Sequence, residues 1–211
     1  MIYLFSILIL LSAIVCIRAK YKKSKNQLLI FKPLTLILII LIAIFFPAID
    51  IKYKIFIISG LIFSIVGDMS LIFPEQHFIK GLIAFLIGHI CYIIAFVVSG
   101  GFHFTIWIFL PIIIVGMLYL QLIIKYTGKM TIPIIIYISI IIIMGWMAIE
   151  RFNSLPTNGT FIAAAGAILF MISDAVLALN KFRKPFFSAE LIILTTYFTA
   201  QWLLAISVIL T

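Results

Sequence analysis

Two aspartates stand inside hydrophobic runs: Asp68 in GLIFSIVGDMSLIF, residues 60–73, and Asp174 in GAILFMISDAVLAL, residues 166–179. A carboxylate at the centre of an apolar helix costs on the order of 2.5–3.5 kcal/mol on insertion scales, which marks each as a functional candidate. The two stretches align on their acids, with Gly60 against Gly166, a small residue before each acid (Gly67, Ser173), and Leu71 against Leu177. Two carboxylates sharing a poorly hydrated site do not both ionise easily, so one is expected to keep its proton near neutral pH while the other is charged. One acid and one base are the equipment for hydrolysis. The other acids, Asp50, Glu75, Glu150 and Glu190, fall at span ends or in loops, where a solvated face or a loop partner is the expected role. Cys16 and Cys91 read as buried apolar thiols, and no Cys/His spacing suits a metal, so neither a metal nor another cofactor is expected.

The elements that carry these acids must live in lipid. The 211 residues are 66% hydrophobic, with a mean hydropathy of +1.38, more than a soluble domain of this size can cover. Without water to satisfy the backbone, only helices or a closed barrel can span. Runs such as PLTLILIILIAIFFPAI are continuous rather than alternating, which selects helices. The expected fold is therefore all-α: a polytopic membrane bundle of eight transmembrane helices, a single integral membrane domain over residues 1–211. The spans are predicted at 2–17, 33–49, 55–73, 80–98, 104–124, 132–149, 160–179 and 190–210. The two Asp spans are each third in a half of four, which suggests two parallel four-helix repeats.

The formal charge of +9 sits in short loops, so topology accounts for it and nucleic acid is not an expected partner. Twelve basic residues fall on one side (Arg18, Lys20, Lys22, Lys23, Lys25 and Lys32; Lys80; Lys125 and Lys129; Lys181, Arg183 and Lys184) and three on the other (Lys52, Lys54, Arg151). The positive-inside rule predicts both termini outside and the basic face cytoplasmic. The first span lacks a basic stretch before its apolar run, which reads as a retained anchor rather than a cleaved signal. Each Asp stands five residues from the cytoplasmic end of its span, roughly 7–8 Å inside the hydrocarbon boundary. Trp107 and Trp146 read as interface anchors near outer span ends.

Several separated motifs share one further property. The run GLIFSIVGDMSLIF, then GLIAFLIGHICYIIAF, MGWMA at 144–148, GAILFMISDAVLALNKF and TTYFTAQWLLA, together with Lys32-Pro33-Leu34, resemble the YhhN-like lysoplasmalogenase family from about residue 30 to 207. The resemblance implies an eight-span hydrolase that cleaves the vinyl-ether bond of lysoplasmalogens such as lysoplasmenylethanolamine or lysoplasmenylcholine. Its products would be a fatty aldehyde and glycerophosphoethanolamine or glycerophosphocholine. It also implies that Asp68 and Asp174 are the catalytic pair and that a lysophospholipid and the membrane are the partners. Oligomeric state is left open.

His89 and Tyr92 share a face of span four, and Tyr197 and Gln201 share one of span eight. All four match positions in that family's motifs and join the candidate binding residues. Tyr197 and Gln201 are expected to orient a carboxylate or hold the glycerol, and His89 to relay a proton. Lys32, opening span two before Pro33, is the candidate cation for the phosphate.

Three other readings compete. An intramembrane aspartyl protease needs Gly where Ile65 stands and usually Tyr where Ser173 stands. A proton-coupled transporter also uses paired acids, but near the midplane and with broken helices, whereas neither Asp segment contains Pro. A lipid-binding membrane protein without activity would tolerate Asn at both positions.

Overall fold

Hydropathy detects the lipid-crossing part of a helix, not its polar ends, and all the long helices but the fifth run longer than the predicted spans. The computed structural model describes residues 2–210, apart from the side chains of 74–76. Its long helices are α1 (Ile2–Tyr21), α2 (Lys25–Phe45), α3 (Ile51–Leu71), α4 (Pro74–Gly100), α5 (Ile106–Ile123), α6 (Thr131–Ser154), α7 (Asn158–Ala178) and α8 (Ala189–Leu210). Two 3-10 turns, Ile124–Tyr126 and Gly128–Met130, join α5 to α6, and a π-turn, Leu179–Arg183, extends α7. All eight long helices are apolar enough to cross a membrane. Isoleucine, leucine and phenylalanine side chains stand exposed along them, as lipid-facing surfaces require.

The largest departure from the predicted spans is at α2, which begins at Lys25, so that Pro33 lies inside the helix and Lys32 does not open it. The Lys-rich first turns are helical but too polar to register as a span. Glu150 and Arg151 are both buried, and of the two roles expected for Glu150, a solvated face or a loop partner, it takes the second. Glu150 Oε1 accepts from the Thr105 backbone at 2.6 Å and from Trp146 Nε1 at 2.9 Å. The Trp146 ring is consequently packed among Phe102, Phe104 and Phe109 instead of anchoring at an interface. Arg151 stacks over Tyr53, with its guanidinium carbon 4.1 Å from the ring centroid, and donates to Ser99. In lipid a charge is cheaper against an internal partner than against the bilayer. Trp107 remains exposed, as an interface residue would be.

Helix pairing rests on close backbone approach. A Cβ on Gly88 would stand 3.1 Å from the Gly60 carbonyl, and one on Gly81 3.3 Å from that of Gly67. Two glycines seven residues apart on α3 thus face two on α4, which permits the tight packing that membrane helices use in place of a hydrophobic drive. On the α7–α8 pair a Cβ at Gly166 would lie 3.1 Å from the Ala200 carbonyl. The aligned glycines Gly60 and Gly166 both therefore pack on the helix that follows their own. α8 is the most buried span and α5, which packs chiefly on α6, the least.

Candidate active site

α3 and α7 each bring their aspartate to the end of the bundle that carries the basic loops. Asp68 lies one turn before the end of α3, and Asp174 one turn before the π-turn. There a cavity of about 330 Å³ has both acids in its wall, together with Lys32, Tyr197, Lys20 and Lys181.

The two carboxylates have unlike surroundings. Asp68 Oδ1 is 2.8 Å from Lys32 Nζ, and its Oδ2 accepts from Tyr197 Oη at 2.9 Å. The Asp68 side chain is 2% exposed and that of Lys32 12%. The departure at α2 makes this pair possible, since a helix already under way at Lys25 turns Lys32 inward, two turns into its length. Lys32 is thus engaged as the counter-ion of a carboxylate rather than standing free for a phosphate, which corrects its expected placement.

Asp174 has no Lys or Arg within salt-bridge distance among the described residues. Tyr137 Oη on α6 donates to its Oδ2, and His89 Nε2 stands 3.7 Å from the same oxygen. His89 is fully buried, and neither ring nitrogen has a hydrogen-bond partner. Its ring lies against Phe170, centroids 4.6 Å apart. Phe170, one turn before Asp174, also meets Tyr197 edge-on at 5.4 Å. A shared aromatic packing therefore fixes the residues that approach the two acids. Each acid is met by a residue from the other half of the chain: Tyr197 reaches Asp68, and His89 faces Asp174.

Of the predicted site residues, Asp68, Asp174, Lys32 and Tyr197 line the cavity. His89 lies behind it, beside Asp174. Tyr92 and Gln201 lie deeper still, both wholly buried, with Tyr92 Oη donating to Gln201 Oε1 at 2.6 Å. They hold α4 to α8 and do not line the cavity. Tyr137 was missed by sequence reasoning, although it is a polar residue in an apolar span. Lys20, which pairs with Glu190 at 3.4 Å, was counted only as a topological charge. Lys181 lies over the Phe78 ring at 5.1 Å.

A second, apolar cavity of about 440 Å³ runs between α4, α5, α6 and α7. Phe78, Asp174 and Leu177 belong to both cavities, so the two meet at Asp174.

Fold and site together define a polytopic helical membrane protein with a carboxylate pair, one member ion-paired, buried at the basic end of its bundle. The chain belongs to the YhhN family, whose model matches residues 27–208. It is 35% identical over 158 residues to lysoplasmalogenase TMEM86A of Bos taurus, covering 72% of this chain and 65% of that one. Against lysoplasmalogenase TMEM86B of Homo sapiens the identity is 35% over 150 residues, with 71% and 61% covered. The chain therefore spans just under two thirds of the length of these mammalian relatives. A relative from Escherichia coli O157:H7, named uncharacterized membrane protein YhhN, is 31% identical over 97% of this chain and 98% of its own. No solved structure matches the chain.

Proposed function

We propose that this protein is a membrane-embedded lysoplasmalogenase that hydrolyses the vinyl-ether bond of a lysoplasmalogen by acid–base catalysis between Asp174 and Asp68. The observation that carries the reading is the inequality of two acids in one cavity wall. Asp68, salt-bridged to Lys32 at 2.8 Å, is the ionised member. Asp174, which has no Lys or Arg within salt-bridge distance among the described residues and which Tyr137 contacts, is the proton carrier. The lysoplasmalogenase relatives support the choice of substrate class.

Asp174 protonates the outer alkene carbon, and the electron pair of the double bond forms the new C–H bond. An oxocarbenium ion results, stabilised by the Asp68 carboxylate. Water adds to the cationic carbon as Asp68 accepts its proton, giving a hemiacetal. The hemiacetal then breaks its bond to the glycerol oxygen. Its hydroxyl proton is lost as the aldehyde forms, the glycerol oxygen gains one, and the two carboxyl groups return to their starting states. The division of labour is that of a glycosidase carboxylate pair. Tyr197 holds Asp68 in place, and Tyr137 holds Asp174. Lys181 and the partly exposed Lys20, whose contact with Glu190 at 3.4 Å is looser than that of Lys32 with Asp68, are the cations offered to the phosphate. The charge asymmetry supports a reading in which this end of the bundle, and the reaction, lie at the cytoplasmic leaflet with both termini outside.

Purified protein incubated with alkenyl, alkyl and acyl lysophospholipids, with products identified by mass, tests the proposal. Aldehyde from the alkenyl species alone is expected, and its loss by at least 100-fold in Asp68→Asn and in Asp174→Asn. Folded variants that release aldehyde at the parental rate would refute the assignment. Cleavage of acyl species would make the protein a lysophospholipase.

A further inference from the structure

The 440 Å³ cavity meets the polar one at Asp174 but has a different character. Its wall is aliphatic and aromatic apart from Asp174 and two phenols. Both phenols are engaged, Tyr137 with Asp174 and Tyr119 with the Ala175 carbonyl at 2.6 Å. Away from Asp174, no charged side chain lines it among the described residues. Ile168 and Ile172 of α7, each 42% exposed, form a lip that opens sideways to the membrane. α5 on the opposite side packs chiefly on α6, so the groove is reached from lipid without crossing the bundle.

We propose that this groove holds the hydrocarbon chain of the lysolipid, one chain only, and that its depth sets the chain length the enzyme accepts; the inference rests on the hydrolase reading above. A single-chain lipid with its head among Lys20 and Lys181 and its chain in the groove would pass its linkage across Asp174, where the cavities join. Beyond Tyr137, which contacts Asp174, the groove extends along α6 to Ile149, twelve residues or about 18 Å. An extended alkyl chain advances roughly 1.25 Å per carbon, given C–C bonds of about 1.5 Å, so about fourteen carbons fit. The floor narrows where α5 meets α6: a Cβ on Gly116 would stand 2.9 Å from Ile142 Cγ1. Any side chain at Gly116 must displace Ile142, and both positions line the groove. That point is five residues, about 7.5 Å, along α6 from Tyr137, level with about the sixth carbon.

Selection comes from fit rather than hydrophobic transfer, because the bilayer is as apolar as the groove. A chain too long for a shortened groove meets the steric cost of overpacking. A chain that fits gains dispersion contacts with the wall.

The test measures kcat/KM for alkenyl lysolipids with chains of 6, 10, 14 and 18 carbons in the parent, Gly116→Leu and Ile149→Trp. The parent should favour about fourteen carbons. Gly116→Leu should lower the ratio of the 14-carbon to the 6-carbon rate by about tenfold or more. Ile149→Trp should leave the 10-to-6 ratio unchanged and lower the 14-to-6 ratio, so that the cut-off follows the depth of the substitution. Equal effects at every length, or none, would overturn the proposal. Should Gly116→Leu fail to fold, Ile142→Trp at the same depth replaces it. A second measurement is independent of hydrolysis: an alkyl-ether lysolipid with a photoreactive group at its chain end should crosslink near Ile149 and Pro111. Crosslinking there by a protein that releases no aldehyde from the alkenyl lysolipids would retain the chain site and refute the hydrolase reading. Crosslinking elsewhere, with hydrolysis intact, would do the reverse.

Discussion

Replacing Lys32 by methionine removes the only cation beside Asp68 among the described residues while keeping much of the side-chain volume. Asp68 is 2% exposed, and its Oδ1 would lose a partner at 2.8 Å, keeping only the Tyr197 hydroxyl on Oδ2. Breaking a buried pair from one side costs about 3–5 kcal/mol, because a charge is left without compensation. Lys32 is 12% exposed and retains some access to the aqueous cavity, so the low end, about 3 kcal/mol, is expected here. Asp68→Asn alone should cost less, since an ammonium can reach water more readily than a carboxylate enclosed at this depth. The double variant Lys32→Met/Asp68→Asn should recover about 2 kcal/mol relative to additivity, the coupling expected of residues in direct contact. Unfolding of the four proteins in mild detergent measures the cycle. Aldehyde release measures the chemistry, where Lys32→Met should fall by about 100-fold because the base has lost the charge that kept it ionised. Strict additivity of the two substitutions, or a Lys32→Met variant with parental turnover, would refute the assignment of Lys32 as the counter-ion of the catalytic base.

Tyr137→Phe should leave the fold intact and lower turnover by about tenfold, the scale of a lost hydrogen bond to a charged or proton-carrying group, read as kcat at saturating lysolipid. Phe170→Ala removes the ring on which His89 and Tyr197 both rest, and should destabilise by about 3–5 kcal/mol in the same unfolding assay. Gly88→Leu would drive a side chain into the α3–α4 contact, where even a Cβ stands 3.1 Å from the Gly60 carbonyl; a thermal midpoint well below the parent's is expected. Arg151→Met lies about 21 Å along α6 from Tyr137 and should change stability while leaving the turnover of the folded fraction unaltered.

Much of the fold was legible because lipid imposes simple requirements. Eight continuous apolar runs could be nothing but eight spans, and the two acids stood out because a buried carboxylate is costly. The boundaries were less legible where helices continue past the hydrocarbon, as at Lys25–Lys32. Glu150 and Arg151 were less legible for a different reason. A span-end position leaves an acid a solvated face or a loop partner, and Glu150 has the loop partner at Thr105, but the burial of both residues depends on Thr105, Tyr53 and Ser99 arriving from other elements. No local pattern announces such partners.

The amino-acid sequence by itself determined that this is an eight-helix membrane protein, that two of its apolar spans carry the aspartates Asp68 and Asp174, and that both stand towards the basic end of the bundle. These follow from composition, hydropathy and the distribution of Lys and Arg, all one-dimensional quantities. Only the tertiary structure decided that Lys32 faces Asp68, that Tyr137 and His89 face Asp174, and that an apolar groove ends beside one acid. Those facts depend on helix rotation and on the backbone approach allowed at Gly60, Gly67, Gly81 and Gly88. A rotation of one residue, about 100° around a helix, would turn any of these side chains from the cavity to the lipid while leaving the hydropathy profile unchanged.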